Sequence, residues 1–179
     1  MIIMLAGRRK SGKTAFAESI VEFGFGHKVV SFADALKAAY AEKEGIHLSE
    51  LLDVDLKEKY RPDMVKFADS IRAKDRYYFP KLLFAMMDDD HWIIDDLRTI
   101  EELEMGLKLG ATPYRVYADN HTRRRRGWRY NPAVDDHYLE TEMDLSAETF
   151  RNMGGDWIWN NTNEIDDLRL KAFTFLTTT

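Results

Sequence analysis

The sequence predicts an α/β fold in which a five-stranded parallel sheet is flanked by helices. Short apolar runs alternate with longer segments of helical periodicity through the 179 residues, a pattern typical of parallel sheets covered on both faces. A glycine-containing turn joins the first apolar run to the first helix. Because 45% of the residues are hydrophobic, a chain of this length can bury a sizeable core, and we expect one domain over residues 1–179.

Each predicted strand is a short apolar run bounded by glycine or by polar residues. The first run stops at Gly7, and the third is entered from His91 and left through Asp95 and Asp96. The predicted strands cover residues 2–6, 29–32, 92–94, 114–118 and 156–159.

The predicted helices follow these strands and carry apolar residues three or four positions apart. Asp34 is a candidate cap for the second helix, and Gly45 ends it. The segment 49–88 is charged and helical, with breaks expected near Pro62 and Pro80. The other predicted helices cover residues 14–23, 34–44, 101–109 and 164–176.

The composition of the chain limits the partners that the protein can bind and the compartment in which we expect it. With 26 Lys and Arg against 31 Asp and Glu, the net charge of −5 argues against a general nucleic-acid or membrane-surface binder. The chain has no cysteine, which excludes a disulfide scaffold, a zinc–thiolate site and cysteine catalysis. The apolar run before Gly7 is too short to span a membrane and lacks the order of a signal peptide, so we expect a cytoplasmic protein without a membrane partner.

Residues 7–14 match the phosphate-binding pattern G-x-x-x-x-G-K-[ST] in full, between a predicted strand and a predicted helix. Gly7 and Gly12 permit backbone angles that let successive N–H groups point at phosphate oxygens. Lys13 would carry a charge to the β and γ phosphates, and the Thr14 hydroxyl would coordinate Mg²⁺. The predicted cofactor-binding residues are therefore Gly7, Arg8, Arg9, Lys10, Ser11, Gly12, Lys13 and Thr14.

Such a P-loop indicates binding of a nucleoside triphosphate but leaves the reaction open. A GTPase should carry base-reading and switch motifs later in the chain, and the sequence shows none. The chain is also short for a motor ATPase. A small-molecule kinase that uses ATP and Mg²⁺ instead needs a second anion site and an arginine-rich lid.

The end of the third strand is the candidate acceptor side. In P-loop folds this strand lies beside the first, so a carboxylate there, Asp95 or Asp96, can hold the metal or orient the acceptor. Arg98 would point into the same cleft, where its planar fork suits phosphate or carboxylate. The plainer interpretation is a surface turn that caps the next helix. Arg72 and Lys37 are further candidates. Taken alone, each of Arg98, Arg72 and Lys37 is more simply a solvated or ion-paired side chain.

The candidate lid is the segment 119–150, which has no strong periodicity and follows the fourth strand. Five arginines lie within 123–129, and Arg123 and Arg126 are the predicted nucleotide contacts. Arginines that close over a nucleotide neutralise the transferring phosphoryl group and exclude water. A polynucleotide contact or a solvated basic loop are the alternatives. Residues 135–148 hold six acids and no Lys or Arg, and could contact the basic run when the lid is open.

Several motifs together resemble the animal-type phosphomevalonate kinase family, P-loop kinases of the nucleoside-monophosphate-kinase fold. The stretch R-G-W-x-x-x-P-x-V-D-D at 126–136 is the most particular of them. The matching pieces are GRRKSGKT at 7–14, FADALKAAYAEKEGI at 32–46, LLDVDLKEKYRPDM at 51–64, the helix carrying Arg72, WIIDDLR at 92–98, RGWRYNPAVDDHYLE at 126–140 and GGDWIWNN at 154–161.

The resemblance implies ATP and Mg²⁺ as cosubstrates and (R)-5-phosphomevalonate as the phosphorylated acceptor. It implies an acceptor-binding helical region at about 45–88 and a lid at about 119–150. Asp96 takes the carboxylate role, with Thr14 as its metal partner. The implied catalytic residues are Lys13, Arg98, Arg126 and Asp96, and the implied acceptor ligands are Lys37, Arg61, Arg72 and Arg98.

Two departures keep an alternative open. The family pattern Asp-Thr-Arg-Arg is here Asp96-Leu97-Arg98-Thr99, and Thr14 stands where family members can carry Asp. Phage-type deoxynucleoside monophosphate kinases also resemble the chain, and that acceptor would need an aromatic slot for its base. The residues that could form such a slot are Phe67, Tyr77, Tyr78 and Phe79. A P-loop kinase acting on nucleic acid is the second alternative.

Overall fold

A computed structural model describes the backbone of residues 1–23, 26–52, 54–88, 91–162 and 164–178, and their side chains except at 54–58, 61, 133, 176 and 178. Within these residues one parallel sheet has the strand order β2-β3-β1-β4-β5. Its strands are β1 Ile2–Ala6, β2 His27–Val30, β3 His91–Leu97, β4 Thr112–Tyr117 and β5 Trp157–Trp159. The first strand is therefore central, and its carboxyl end lies between those of β3 and β4.

The helices occupy the connections between the strands and the segment after β5. A short 3₁₀ helix covers Leu48–Leu51. The α-helices are α1 Lys13–Glu22, α2 Phe32–Glu44, α3 Val54–Arg72, α4 Tyr78–Met86, α5 Ile100–Lys108, α6 Asn120–Arg125, α7 Pro132–Asp135, α8 Tyr138–Thr141, α9 Ala147–Asn152 and α10 Ile165–Thr178.

The chain forms two compact units. One contains Met1–Val30 and Asp88–Thr179 and holds the whole sheet; the other is helical and spans Ser31–Met87. The sequence predicts a single kinase domain with a helical region from about 45 to 88, whereas the compact helical unit also includes α2.

The sheet unit is built on the alternation of side chains along β1. Ile3 and Leu5 point to one face, where they pack with Phe16 and Ile20 of α1 and with Leu168 of α10. Met4 points to the other face and lies against Gly106 of α5 so closely that a Cβ there would collide with its sulfur. Helices thus cover both faces of this sheet, and the predicted fold class is confirmed.

The helical unit has its own apolar core. Tyr40, Leu51 and Met64 are buried together, and Phe67 packs edge-on against Tyr40 with ring centroids 5.6 Å apart. The first helix of this unit is capped by Ser31, whose hydroxyl accepts the Asp34 N–H at 3.1 Å. Asp34 returns the contact to the Ser31 N–H and is therefore the third helical residue rather than the predicted cap.

Two further expectations change. The helix α3 continues through Pro62, so the predicted break there is wrong. The φ of proline is compatible with a helix, and the lost N–H and the crowding of the preceding turn weaken the helix at this point without ending it. The break expected near Pro80 is present: α3 ends at Arg72, α4 begins at Tyr78, and Pro80 lies in the first turn of α4, where prolines are tolerated. The third strand runs to Leu97, three residues beyond the predicted end, which places Asp95 and Asp96 inside it.

In the part of the chain that the structure describes, every helix is too short or too polar to cross a lipid bilayer.

Candidate active site

The P-loop runs from the end of β1 into α1 and depends on unusual backbone angles. Gly7 has φ 143° and Gly12 has φ 100°, and a Cβ at either position would also collide with a neighbouring group, Val116 O or Asn160 Nδ2. Lys10 has φ 62° without being glycine, a conformation that costs about 1 kcal/mol or more. The loop is therefore a strained turn held by its surroundings.

Lys13 begins α1 and folds back over the loop. Its ammonium donates to Gly7 O at 2.5 Å and lies 3.4 Å from Arg8 O. Burial and the nearby Arg98 lower the pKa of Lys13 to about 8. Carboxylates oppose this shift and so lie close to the ammonium: Glu140, Asp95 and Asp96. The lysine thus sits among charged groups from the third strand and from the expected lid.

Thr14 is paired with a carboxylate of the third strand. Its hydroxyl donates to Asp95 Oδ2 at 2.7 Å. The expected partner is the next residue, Asp96, which is buried with 8% of its surface exposed. The pairing of β1 with β3 explains this, because Met4 pairs with Ile94 but Ala6 pairs with Leu97, so β3 has one extra residue at this point. A bulge of this kind changes the direction in which the neighbouring side chains point.

The residues at Thr14 can hold Mg²⁺ together with substrate phosphates. A hydroxyl and a carboxylate oxygen are ligands that Mg²⁺ accepts, and the ion often relies on phosphates and water for the rest. In the described part of the chain, His, Asp and Glu form no group of three or more that could hold a metal without substrate. The site fits a metal that arrives with a nucleotide.

Arg126 clamps the outer side of the P-loop. Its guanidinium donates to Ser11 O at 2.9 Å and to Lys10 O at 3.2 Å. On the other side it donates to Asn160 Oδ1 at 3.0 Å, to Asn160 O at 3.1 Å and to Thr162 O. The expected lid arginine therefore joins the P-loop to the segment that follows β5.

Asn160 completes this clamp, and the sequence reasoning missed it. The side chain is 2% exposed, and its Nδ2 donates to Ser11 O at 2.8 Å while its Oδ1 accepts from Arg126. It lies 149 positions from Ser11 along the chain, so its role follows only from the parallel pairing of β4 with β5. The one available signal was its place directly after a predicted strand.

Arg123 supports the P-loop from the protein interior. Although predicted as a nucleotide contact, it is 2% exposed and donates from Nε to Arg9 O at 2.8 Å. Its guanidinium carbon lies 4.0 Å from the ring centroid of Trp128, and Nη2 is 3.7 Å from the buried Asp135 carboxylate. The indole N–H of Trp128 also donates to Asp135 at 2.8 Å.

Two carboxylates of the acidic stretch, Glu140 and Asp144, contact arginines of the P-loop. We call residues 135–144 the acidic segment. Glu140 accepts the Arg9 N–H at 3.0 Å and the Arg98 guanidinium at 2.6 Å. Asp144 accepts from Arg8 Nε at 2.8 Å and also pairs with Arg115. The carboxylates Asp96 and Glu140 outweigh burial and raise the pKa of Arg98.

The other predicted acceptor ligands belong to the helical unit. Lys37 is half-buried and donates to Asp34 at 2.7 Å. The Arg72 guanidinium lies 5.2 Å from the ring centroid of the buried Phe79 and 3.8 Å from the Asp69 carboxylate. Arg61 falls within α3, but its side chain lies outside the described residues.

Comparison with known proteins places this geometry among kinases. Residues 5–108, more than half of the chain, match the phosphomevalonate kinase family. A Drosophila melanogaster phosphomevalonate kinase is 27% identical over 175 residues, which cover 92% of this chain and 90% of that protein.

Solved structures agree with the fold. The crystal structure of TT1252 from Thermus thermophilus has a TM-score of 0.55 at 20% identity, covering 99% of this chain and 96% of that one. Dephospho-CoA kinase from Campylobacter jejuni has a TM-score of 0.54 at 13% identity, covering 98% of this chain and 95% of that one.

Proposed function

The chain belongs to the phosphomevalonate kinase family, and we propose that it transfers the γ-phosphoryl group of ATP to (R)-5-phosphomevalonate, giving the 5-diphosphate and ADP. The observation that carries this proposal is the grouping of Lys13, the Thr14–Asp95 pair and Arg98 at one edge of the sheet. Lys13 donates to Gly7 O of the P-loop, the Thr14 hydroxyl lies 2.7 Å from Asp95, and Arg98 shares its partner Glu140 with the Arg9 N–H of the P-loop. Such a grouping supplies what phosphoryl transfer needs: positive charge, a metal-compatible pair and a second anion ligand.

In the proposed reaction, an oxygen of the acceptor's phosphate attacks the γ-phosphorus while the bond to the β–γ bridging oxygen breaks. The attacking phosphate is already largely ionised near neutral pH, so a general base is unnecessary and charge stabilisation dominates. Lys13 would hold the β and γ phosphates, and Arg98 would face the charge that develops between donor and acceptor. Bound Mg²⁺ would neutralise phosphate charge, with Thr14 and Asp95 as the residues that hold it.

Arg126 acts differently in this proposal from the expected lid charge. Its guanidinium bridges protein oxygens of the P-loop rim and of the segment after β5. We therefore propose that it keeps the strained loop in its phosphate-binding shape. The buried Asp96 carboxylate raises the pKa of Arg98. Asp95, which accepts from the Thr14 hydroxyl, replaces Asp96 as the proposed metal partner.

The packing of the helical unit favours an acceptor without a base over a nucleoside monophosphate. A base would need an aromatic slot, but two of the four candidate side chains are already packed: Phe79 is 1% exposed, and Phe67 packs against Tyr40. Of the other two, Tyr77 and Tyr78, the second is 39% exposed. The guanidinium of Arg72 covers the Phe79 ring. Lys37, Arg61 and Arg72 remain proposed acceptor ligands on the strength of the resemblance, and a cytoplasmic location remains a prediction.

An ADP-release assay with two acceptors in parallel tests this function. We expect turnover with ATP, Mg²⁺ and (R)-5-phosphomevalonate, and little with deoxynucleoside monophosphates. The Lys13→Met protein should lose a factor of roughly 10² to 10³ in rate, the effect typical of one electrostatic stabiliser. Activity on deoxynucleotides alone would overturn the acceptor assignment, and a folded Lys13→Met protein with unchanged turnover would overturn the assigned site.

A further inference from the structure

Glu140 of the acidic segment accepts from one backbone N–H of the P-loop and from Arg98, which follows β3. Both are the kinds of donor that bind phosphate. One carboxylate oxygen accepts the backbone N–H of Arg9 at 3.0 Å, and the other accepts from the Arg98 guanidinium at 2.6 Å. The Glu140 side chain is only 6% exposed, and the carboxylate is close enough to act on the pKa of Lys13. It therefore lies inside the group of cations rather than at its solvent edge.

A second carboxylate of the same segment binds the rim of the loop. Asp144 pairs with Arg8 and with Arg115, and Arg115 also donates to Met143 O at 3.0 Å. This fixes the end of the acidic segment beside the loop and leaves Glu140 facing Arg9. The contacts of Asp144 with Arg8 and with Arg115 join charged groups, so they are stronger than hydrogen bonds between neutral groups.

A phosphate oxygen and the Glu140 carboxylate need the same kind of donors in the same place. One backbone N–H cannot serve both as a full hydrogen bond, and two anions at one site repel each other. Nucleotide phosphates that take the Arg9 N–H must therefore displace Glu140.

We propose that Glu140 is an internal substitute for a phosphate group, which holds the Arg9 N–H and Arg98 until nucleotide phosphate displaces it. The proposal rests on the proposed function, because it assumes that the P-loop binds ATP. Displacement frees the Arg98 guanidinium, so that the acceptor ligand becomes available only when the nucleotide is bound. Glu140 thereby couples occupancy of the two substrate positions.

The test is ADP binding by isothermal titration calorimetry to four proteins: wild type, Glu140→Gln, Glu140→Ala and Glu148→Gln. Removing the Glu140 charge should tighten ADP binding about tenfold. ADP then no longer has to break a charge-assisted contact that Glu140 makes in the unliganded protein. Glu148 is an exposed acid that lies just beyond the acidic segment, in the first turn of α9. Its conversion to glutamine should leave the ADP affinity within about twofold of wild type. Circular dichroism and thermal melting verify that each variant is folded.

The outcomes separate the two proposals. Tighter binding by both Glu140 variants, with Glu148→Gln unchanged, supports the substitute role. Wild-type or weaker ADP affinity in folded Glu140→Gln overturns it. Failure of wild type and all variants to bind ADP rejects the nucleotide site, and the role of Glu140 with it.

Discussion

The Asp135→Asn substitution should destabilise the sheet unit by removing a buried charge. Asp135 is 0% exposed, and its two oxygens accept from the Trp128 indole at 2.8 Å and from the Asn131 N–H at 2.7 Å. Its carboxylate is 3.7 Å from the Arg123 guanidinium, which is itself 2% exposed, and 3.9 Å from that of Arg9. The neutral amide has almost the same shape, so the loss of charge and of acceptors is isolated from any loss of volume.

The magnitude follows from what asparagine cannot replace. One oxygen can still accept, so one buried donor is left without its partner, at about 1–3 kcal/mol. Arg123 also loses its buried counter-ion, and removal of one member of such a pair costs about 3–5 kcal/mol. These costs overlap because the same carboxylate carries both, and we expect about 3 kcal/mol in the free energy of unfolding, or about 6–12 °C in Tm.

Urea unfolding measures this loss as a lower midpoint with an unchanged m value. The control is Asp136→Asn, because Asp136 is exposed and accepts from the Tyr130 hydroxyl; it should change stability by less than about 0.5 kcal/mol. Burial raises the pKa of Asp135, but its hydrogen bonds and the arginines outweigh this and lower it. The stabilisation is therefore present above the ordinary carboxyl pKa and is lost as the pH falls below it. Equal unfolding midpoints for the two variants would refute the reasoning.

Three further predictions concern charge. Because the pKa of Lys13 is about 8 and phosphates favour its charged form, kcat/KM for ATP should fall above about pH 8, and a pH–rate profile that stays flat to pH 9 would contradict this. Asp95→Asn should raise the Mg²⁺ concentration for half-maximal rate about tenfold or more, and Asp96→Asn less; a Mg²⁺ titration showing the reverse order would refute the assigned pair. Burial and the neighbouring His91 lower the pKa of His27 below 6.5, so urea midpoints should fall as the pH drops through 6.5, and His27→Phe should flatten that dependence.

The fold could be predicted because its signals are local. The bounds of β1, Ile2–Ala6, follow directly from one apolar run that ends at a glycine. The P-loop could be located for the same reason, since its glycines, lysine and threonine are consecutive and each has a defined chemical task. The boundaries of β2 moved by two residues because Ser31, and not Asp34, caps the following helix.

The choice between Asp95 and Asp96 could not be made from the sequence. It depends on a bulge between β1 and β3, which shifts the pairing by one residue at the point where the carboxylates lie. Successive side chains of a strand point to opposite faces, so this single residue decides which acid meets Thr14. Neither composition nor periodicity records such a shift.

The supporting residues were missed because their contacts span the chain. Asn160 reaches Ser11 across 149 positions, and Glu140 reaches Arg9 across 131. Arginines 123–126 look equivalent in sequence, yet the short helix α6 buries Arg123 and directs Arg126 to the P-loop rim. Only the three-dimensional arrangement shows that Arg123 contacts the P-loop from the interior and Arg126 from its rim.

The proposed reaction is tested most directly by ³¹P NMR of a mixture of ATP, Mg²⁺, (R)-5-phosphomevalonate and the purified protein. We expect the ATP γ signal and the acceptor monophosphate signal to disappear together, while ADP and two coupled diphosphate signals of the product appear in equal amounts. Release of inorganic phosphate with the acceptor signal unchanged, or no reaction at all, would contradict it.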